Sequence, residues 1–164
     1  MSRLDSFIRR LEAQRACLGA AATATAGMAG IVLELGLGNG RTYDHLRTIC
    51  PERDIFVFDR QITVHPDCLP PPEQVFLGDL AATLPQAKTR LGEGSAALVH
   101  ADLGSGDARA SQDLAQCIAP DIAQLMAPGA IIVSDQPILL PALSALPLPE
   151  GVPEGRYFMA AKRV

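Results

Sequence analysis

The sequence contains no block of basic residues. Its 164 residues include 14 Lys and Arg against 18 Asp and Glu, which gives a net charge of −4. Proteins that bind nucleic acid gain much of their affinity by neutralising phosphates with clustered basic side chains. Because this chain has no such cluster, the sequence argues against nucleic acid as a partner.

The sequence also has no closely spaced pair of cysteines. Its four cysteines stand far apart, and no CxxC motif occurs among Cys17, Cys50, Cys68 and Cys117. This spacing fits neither a zinc site nor a disulfide framework. We therefore expect reduced thiols and a cytoplasmic location.

Charged residues are absent between Ala16 and Leu33, over a length that could span a bilayer. The segment consists mainly of Ala, Gly and Thr, which partition weakly into lipid, and Glu34 follows it directly. Asp5 and Glu12 interrupt the N-terminal region where a signal peptide would lie. We therefore predict no membrane association.

The composition is that of a folded chain. Hydrophobic residues make up 48% of the sequence and charged residues 20%, which argues against disorder. At this length one domain can bury roughly 70% of the surface of the unfolded chain. We predict a single domain over residues 1–164, with an N-terminal helical segment (1–29), a central core (30–136) and a proline-rich loop with a closing strand (137–164).

Short apolar runs bounded by turn residues recur from Ile31 onward. Uninterrupted runs of this kind are typical of strands covered on both faces, as in a parallel sheet. With a closing strand near the C-terminus, they predict a Rossmann-like α/β fold, a doubly wound and mostly parallel sheet with helices on both faces and a C-terminal antiparallel strand. The predicted strands are Ile31–Leu35, Ile55–Phe58, Val75–Leu77, Ala96–Val99, Ala130–Val133 and one within Arg156–Val164.

Helices are predicted before and between these strands. The first begins after Ser2 and extends to about Gly19, and its predicted inward side carries Leu4, Phe7, Ile8, Leu11 and Leu18. The others are Arg41–Ile49, Leu80–Leu91 and Ser111–Met126, the last ended by Pro128 and Gly129. His65–Pro72 holds four prolines and predicts a loop or a single turn. Pro137–Pro153 predicts an extended loop, with a short helix at Leu139–Leu146 as an alternative.

Acidic residues stand at the ends of most predicted strands. In an open parallel sheet, ligands bind beyond the carboxyl ends of the strands, where the strand order reverses. Polar residues of any kind can follow a strand that reaches solvent, but here Asp or Glu follows four of the five. The residues are Glu34, Asp59, Asp79, His100 with Asp102, and Asp135. Their number favours a ligand site at this edge.

The segment IVLELGLGNG combines a strand, an acid and a glycine-rich turn. Gly36, Gly38 and Gly40 follow Glu34, and Arg41 takes the position of the third glycine of a dinucleotide-binding motif. Glu34 would repel a phosphate, but it suits the ammonium or sulfonium of S-adenosylmethionine (SAM). The start of the following helix could receive the carboxylate of that ligand. A turn needed only for tight geometry is the alternative.

Two further acids fit the rest of this cofactor. Asp59 lies at the distance from the glycine turn at which an acid reaches a ribose diol, and a carboxylate can accept both hydroxyl protons. Asp79 can accept a hydrogen bond from an adenine amino group or cap the helix that begins at Leu80. Both uses of Asp79 remain open.

Four motifs, ELGLGNG, FVFDR, FLGDL and HADLGSGD, together resemble the cofactor motifs of class I SAM-dependent methyltransferases. The resemblance spans about Gly30 to Gln136 and implies that the chain is a small methyltransferase. It implies that the methionine moiety is lined by Glu34, Gly36, Leu37, Gly38, Asn39 and Gly40. It places Asp59 at the ribose, Arg60 beside the adenine, and Gly78, Asp79 and Leu80 around the base. It places His100, Ala101 and Asp102 at the sulfonium and the substrate mouth.

The acceptor side is less specific than the cofactor side. His100 has the pKa range of a general base and Asp102 could orient it or act itself, although a histidine at a strand end is often a packed, hydrogen-bonded residue. Some small O-methyltransferases place a metal with acids after the fourth and fifth strands. Asp135 and Gln136 match that pattern loosely, but His100 stands where the first acid would be. We predict no metal.

Three functional hypotheses follow. The leading one is transfer of a methyl group from SAM to an unidentified small-molecule or protein acceptor. The first alternative is a catalytically silent SAM-binding sensor or complex subunit, and the second is a nucleotide-dependent oxidoreductase, against which Glu34 and Arg41 argue. A homodimer could complete the substrate pocket with the N-terminal helix and the Pro137–Pro153 loop.

Overall fold

The computed structural model describes residues 2–164, which form a seven-stranded sheet in the order β3-β2-β1-β4-β5-β7-β6. The first five strands run parallel to one another, and β7 runs antiparallel to both β5 and β6. This is the predicted doubly wound, mostly parallel architecture with an antiparallel C-terminal strand. The strand bounds are β1 Ile31–Leu35, β2 Ile55–Asp59, β3 Val75–Leu77, β4 Ala96–Ala101, β5 Met126–Ser134, β6 Leu143–Ala145 and β7 Phe158–Lys162.

Four α-helices flank the sheet: α1 Arg3–Ala24, α2 Arg41–Ile49, α3 Leu80–Leu91 and α4 Ala108–Leu125. Ser2 and Asp5 form a capping box at the start of α1. The proline-rich crossover between β2 and β3 forms two single 3₁₀ turns, Pro66–Cys68 and Pro72–Gln74, in agreement with the prediction of no helix there. No helix within residues 2–164 has the length and apolarity needed to cross a bilayer.

The sheet separates two hydrophobic cores. Leu33, Leu35 and Phe58 point to the face covered by α3 and α4. Val32 and Val57, which alternate with them along β1 and β2, point to the face covered by α1 and α2. Burial on both faces explains why these strands appear in the sequence as continuous apolar runs.

The predicted inward side of α1 is correct at Leu18 and wrong in the N-terminal half of the helix. The buried residues of the helix are Ala13, Gln14, Cys17, Leu18 and Ala21. Leu4, Phe7 and Ile8 are exposed, because the N-terminal half of α1 projects over the carboxyl edge of the sheet, where Arg10 meets the end of β4. The helix also continues to Ala24 instead of ending near Gly19, since its alanine-rich second half favours helix.

The C-terminal region differs from the prediction in two places. The segment Leu139–Leu146 forms no helix, and β6 lies within it and pairs with β7 as an edge strand. The strand predicted at Ala130–Val133 begins earlier, at Met126, so that Pro128 and Gly129 lie inside β5 and do not end α4. The register of β5 against β4 is irregular in this first part, which accommodates a proline in the strand.

Candidate active site

The glycine turn after β1 has an open centre and tightly packed ends. Gly36 (φ +90°) lies against the backbone carbonyl of Asp102, so a side chain at this position would overlap that carbonyl. At Gly40 (φ +85°), which precedes α2, a Cβ would come within 2.6 Å of the Cβ of Cys68 in the proline-rich crossover. A Cβ at Gly38 would meet nothing within 4 Å. The turn therefore leaves room for a ligand directly against the backbone of Gly38.

Asp59 connects the end of β2 to this turn. Its Oδ2 accepts a hydrogen bond from the backbone amide of Gly38 at 3.1 Å, and its Oδ1 accepts one from the amide of Arg60 at 2.6 Å. The carboxylate is half-buried at the mouth of the turn. Oδ1 also accepts a longer hydrogen bond from the amide of Gln61 at 3.4 Å, so the lone pair left free for a ribose hydroxyl is on Oδ2.

Beyond Asp59, the side chains of Arg60 and Asp79 form an ion pair, with 2.6 Å between Nε and Oδ1. Asp79 stands at the N-cap position of α3, but its side chain makes no capping hydrogen bond. Both side chains are largely exposed at the edge of the cleft. The amide of Gly78 donates to the carbonyl of Asp59, and Leu80 follows as the first residue of α3. The structure thus brings together the four residues predicted around the adenine.

Glu34 lies below the turn and has no exposed surface. One of its carboxylate oxygens accepts a hydrogen bond from the hydroxyl of Thr42, and Oε2 lies 2.7 Å from Nδ1 of His100. Both oxygens are thus engaged by the protein. The predicted contact of Glu34 with a SAM ammonium stays a prediction, and the geometry favours a supporting role for this side chain beneath the turn.

His100 is fully buried beside Glu34. Its Nε2 lies 3.3 Å from the hydroxyl of Tyr157 and 3.3 Å from Nε2 of Gln14. Gln14 in turn donates to the hydroxyl of Tyr157 at 2.6 Å. This buried polar cluster joins α1, β1, β4 and the segment that enters β7. Its hydrogen bonds satisfy polar groups that would otherwise destabilise the core.

The environment of His100 favours its charged form. Burial lowers the pKa of the imidazole, but the charge of Glu34 and the hydrogen bond to it raise the pKa, as do Asp102 and Asp135, and the net direction is upward. A fully buried imidazole whose Nδ1 is occupied by Glu34 is poorly placed to take a proton from an acceptor. The role of His100 as a base stays a prediction.

Asp102 is the acidic side chain that reaches the cleft from the end of β4. Arg10 of α1 binds it through both carboxylate oxygens, each 2.6 Å from Nη2. Burial raises the pKa of this carboxyl, Arg10 lowers it, Asp135 raises it, and the net direction is upward. About a quarter of the side chain remains exposed (25%). Asp102 is therefore accessible and has the raised pKa expected of a general base.

Asp135 holds the loop after β4 in place. Its Oδ1 accepts a hydrogen bond from the amide of Leu103 at 2.8 Å, and a Cβ at Gly104 would lie 2.7 Å from Oδ2. Gln136 donates to the same carboxylate at 3.3 Å. Within residues 2–164, no group of three or more His, Cys, Asp or Glu side chains is arranged to hold a metal ion.

The other predicted site residues differ in their exposure to solvent. Asn39 is exposed on the turn and its side chain accepts a hydrogen bond from the amide of Arg41 at 3.2 Å. Leu37 and Ala101 are buried, so only their backbones can face a ligand. The turn, Asp59, Asp79 and Asp102 meet at one edge of the sheet, as their positions at the ends of strands predicted.

Sequence reasoning missed Arg10, Gln14 and Tyr157. Arg10 and Gln14 lie four residues apart and share one side of α1, which predicts a polar side but does not indicate what it faces. Tyr157 lies in the segment predicted to form the closing strand, directly before the observed β7, and carries no motif. Their partners are 57 to 143 residues away in the sequence, so no local pattern could have found them.

Comparison with known proteins identifies this arrangement. The sequence profile of a family described as S-adenosyl-L-methionine methyltransferase matches residues 1–162. The crystal structure of an S-adenosyl-L-methionine methyl transferase from Silicibacter pomeroyi DSS-3 has 46% sequence identity and a TM-score of 0.94, and the match covers 99% of each chain. No curated protein sequence matches the chain.

More distant structures share the fold. The 16S rRNA (adenine(1408)-N(1))-methyltransferase of Catenulisporales acidiphilia, in a structure with cosubstrate SAM, has 14% identity and a TM-score of 0.51, over 90% of this chain and 92% of that one. TrmN from Thermus thermophilus has 14% identity and a TM-score of 0.56, over 88% of this chain and 48% of that one. At this identity the likeness concerns the fold alone. The family profile and the Silicibacter pomeroyi relative show that this chain belongs to the S-adenosyl-L-methionine methyltransferase family: it is a SAM-dependent methyltransferase with a class I, Rossmann-like fold.

Proposed function

We propose that this methyltransferase holds SAM in the glycine turn between Asp59 and Asp102 and transfers its methyl group to an acceptor whose nucleophilic atom lies at Asp102. The open space at Gly38 and the free lone pair on Oδ2 of Asp59 fit the methionine and ribose parts of the cofactor. Bound SAM supplies a methyl carbon that its sulfonium already activates for displacement. The protein has to position the acceptor and, where the nucleophile is protonated, remove a proton.

In this proposal, Asp102 is the residue that lies beside the methyl acceptor. Its carboxylate is the partly exposed acid at the end of β4, and its backbone carbonyl packs against Gly36 on the wall of the turn. The acid is therefore adjacent to the methionine end of the turn and open to the cleft. Arg10 fixes its orientation through two hydrogen bonds, and burial raises the pKa of the carboxyl above its ordinary value, which is the direction that favours proton removal.

We assign the residues between Arg60 and Leu80 to the adenine end. The ion pair between Arg60 and Asp79 forms one side of the base pocket, and Gly78 gives the backbone a close approach to it. Glu34 and His100 support the turn from below through their contact with each other and with Thr42. On this assignment the acceptor is a small molecule or a protein side chain, and the enzyme acts in the cytoplasm.

The homodimer also remains part of the proposal. Leu4, Phe7 and Ile8 project from α1 beside the cleft, and 66%, 44% and 44% of their surfaces are exposed. An exposed apolar cluster of this kind is typical of a surface that a partner covers. Light scattering at micromolar concentration should find a dimer, and a Phe7→Glu substitution should convert it to monomer. A monomeric wild type would remove the dimer from the proposal.

An acceptor panel tests the proposed role of Asp102. Methyl-tritiated SAM is supplied with a primary amine, a phenol, a thiol, a carboxylic acid and an unmodified protein mixture, and transfer is counted for each. Asp102→Asn should reduce transfer by about 100-fold or more, the usual contribution of a general base, while SAM binding persists. Asp113→Asn, an exposed acid on α4, serves as the matched control. Transfer by Asp102→Asn at the wild-type rate would contradict the assignment.

A further inference from the structure

A large groove lies where the chain returns from β5 to β6. Residues 136–142 make this crossover as extended chain and not as a helix, on the side of the sheet that α3 and α4 cover. Gln116 of α4 ties the crossover down by donating to the carbonyl of Pro137 at 3.0 Å. Because no helix covers β5, β7 and β6 here, a cavity of about 930 Å³ opens over Ile132, Phe158 and Ala160.

The walls of this groove are apolar. Leu139, Leu140 and Pro141 of the crossover form one side, and Leu146 and Leu148 of the segment after β6 form another. Among the residues in the described part of the chain that line it, Glu154 is charged and none is basic. A groove with no cation gives no compensation for burying a phosphate, sulfonate or carboxylate. It therefore selects against anionic molecules, including nucleic acid.

The groove lies next to the cleft. Gln136 lines the groove and donates to the carboxylate of Asp135, which in turn accepts a hydrogen bond from the amide of Leu103, directly after Asp102. A molecule that extends from the groove past Gln136 can therefore present one end at the carboxyl edge of the sheet, where Asp102 lies. The volume of about 930 Å³ is within the range of about 300–1,000 Å³ typical of small-molecule sites.

We infer that the groove binds the apolar body of the methyl acceptor, and that the acceptor is an apolar small molecule without an anionic group. This inference rests on the proposed function, since it places the nucleophilic end of that molecule at Asp102. The acceptor needs a polar group only at the end that lies in the cleft. Because acidic side chains predominate there, a hydroxyl or an amine is suitable as the nucleophile. The apolar walls supply the binding energy along the remainder of the molecule.

Two matched fluorescent probes test the groove directly. N-phenyl-1-naphthylamine is neutral and apolar, and 1-anilinonaphthalene-8-sulfonate has the same ring system with an added anion. We expect the neutral probe to bind the wild-type protein at least tenfold more tightly than the sulfonate. Equal affinities, or no binding of the neutral probe, would overturn the inference.

A pair of substitutions tests whether the neutral probe binds in the groove. Ala145 of β6 lines the groove and is exposed, whereas Ala142, also exposed, precedes β6 outside it. Ala145→Phe should weaken the neutral probe at least tenfold, and Ala142→Phe should leave its affinity within twofold of wild type. Equal effects of the two would overturn the inference. If Ala145→Phe does not fold, Leu139→Ser on the exposed crossover provides the same test by removing an apolar wall.

Measurements of methyl transfer distinguish failure of this inference from failure of the proposed function. With apolar phenols and amines as acceptors, Ala145→Phe should lose at least tenfold in methyl transfer while SAM affinity, measured by calorimetry, stays unchanged. Transfer to the carboxylic acid and not to the apolar phenols and amines would overturn the groove inference and leave the role of Asp102 intact. If the wild type transfers no methyl group to any acceptor but still binds the neutral probe in the groove, the result would instead count against the proposed function.

Discussion

The backbone amide of Gly38 donates a hydrogen bond to the carboxylate of Asp59 at 3.1 Å. The two residues come from the ends of adjacent parallel strands, β1 and β2, and their contact fixes the acid beside the open centre of the glycine turn. On the proposed placement, the adenosine and methionine ends of SAM would lie against neighbouring elements of the sheet.

The two glycines of the turn should respond differently to alanine. At Gly36 a Cβ would overlap the carbonyl of Asp102 and φ is +90°, so Gly36→Ala should cost about 3 kcal/mol or more of folding stability. At Gly38 a Cβ meets open space and φ is +54°, so Gly38→Ala should cost about 1 kcal/mol. Thermal unfolding measures both variants.

SAM affinity provides the second half of that test. The methyl group of Gly38→Ala would occupy the space assigned to the cofactor, so this well-folded variant should lose SAM binding in calorimetry. A Gly38→Ala protein that binds SAM with wild-type affinity would show that the cofactor does not lie against this residue.

Arg10 should control the pH dependence of methyl transfer. Among the charges around Asp102, Arg10 lowers the pKa of the carboxyl while burial and Asp135 raise it, so Arg10→Met should move that pKa further upward. A base works only when ionised, and its rate therefore falls as pH drops below its pKa. The acidic limb of kcat/KM should lie at higher pH in Arg10→Met than in wild type. Arg9→Met, the exposed neighbour, is the control. A limb that stays in place or moves downward would exclude Asp102 as the base.

His100 should stabilise the fold in a pH-dependent way. Removing one member of a buried ion pair leaves the other uncompensated, so His100→Gln should cost about 3–5 kcal/mol through Glu34. The pKa of His100 in the folded protein is raised above its ordinary value of 6.5. Its contribution is therefore complete below pH 6.5 and is lost as pH rises through the folded pKa.

Urea unfolding of wild type and His100→Gln between pH 5.5 and pH 9 measures this effect. The stability difference between them should be largest at the acidic end and shrink towards the alkaline end. His45→Gln, on α2, is the control for loss of a histidine outside the buried pair. A difference that is constant with pH would mean that His100 is not charged in the folded protein.

The sheet and its ligand edge could be predicted from the sequence because their signals are local. The bounds of β1 and β3 agree with the prediction, since continuous apolar runs end abruptly at turn residues. The position of acids at strand ends follows from the alternation of strands and crossovers. The SAM cofactor followed from the same residues, and family membership confirms it.

The inner face of the site could not be predicted, because it depends on contacts between distant segments. Gln14 and Tyr157 are 143 residues apart in the sequence and meet only after α1 and β7 have docked on the sheet. The apolar residues Leu4, Phe7 and Ile8 have helical spacing, but spacing does not reveal that this half of α1 extends past the core. The groove over β5 and β7 likewise arises from a missing helix, which the prolines of 137–153 indicated without showing what lies beneath.

Calorimetric titration of SAM into wild type and Asp59→Ala tests the central claim most directly. Asp113→Ala, which removes an exposed acid from α4, is the matched control. If Asp59 holds the ribose, the wild type and the control should bind SAM alike, and Asp59→Ala should lose about 10- to 100-fold in affinity, the equivalent of one hydrogen bond from a ribose hydroxyl to a charged group. Asp59→Ala binding SAM as tightly as wild type would contradict the placement of the cofactor between the glycine turn and β2.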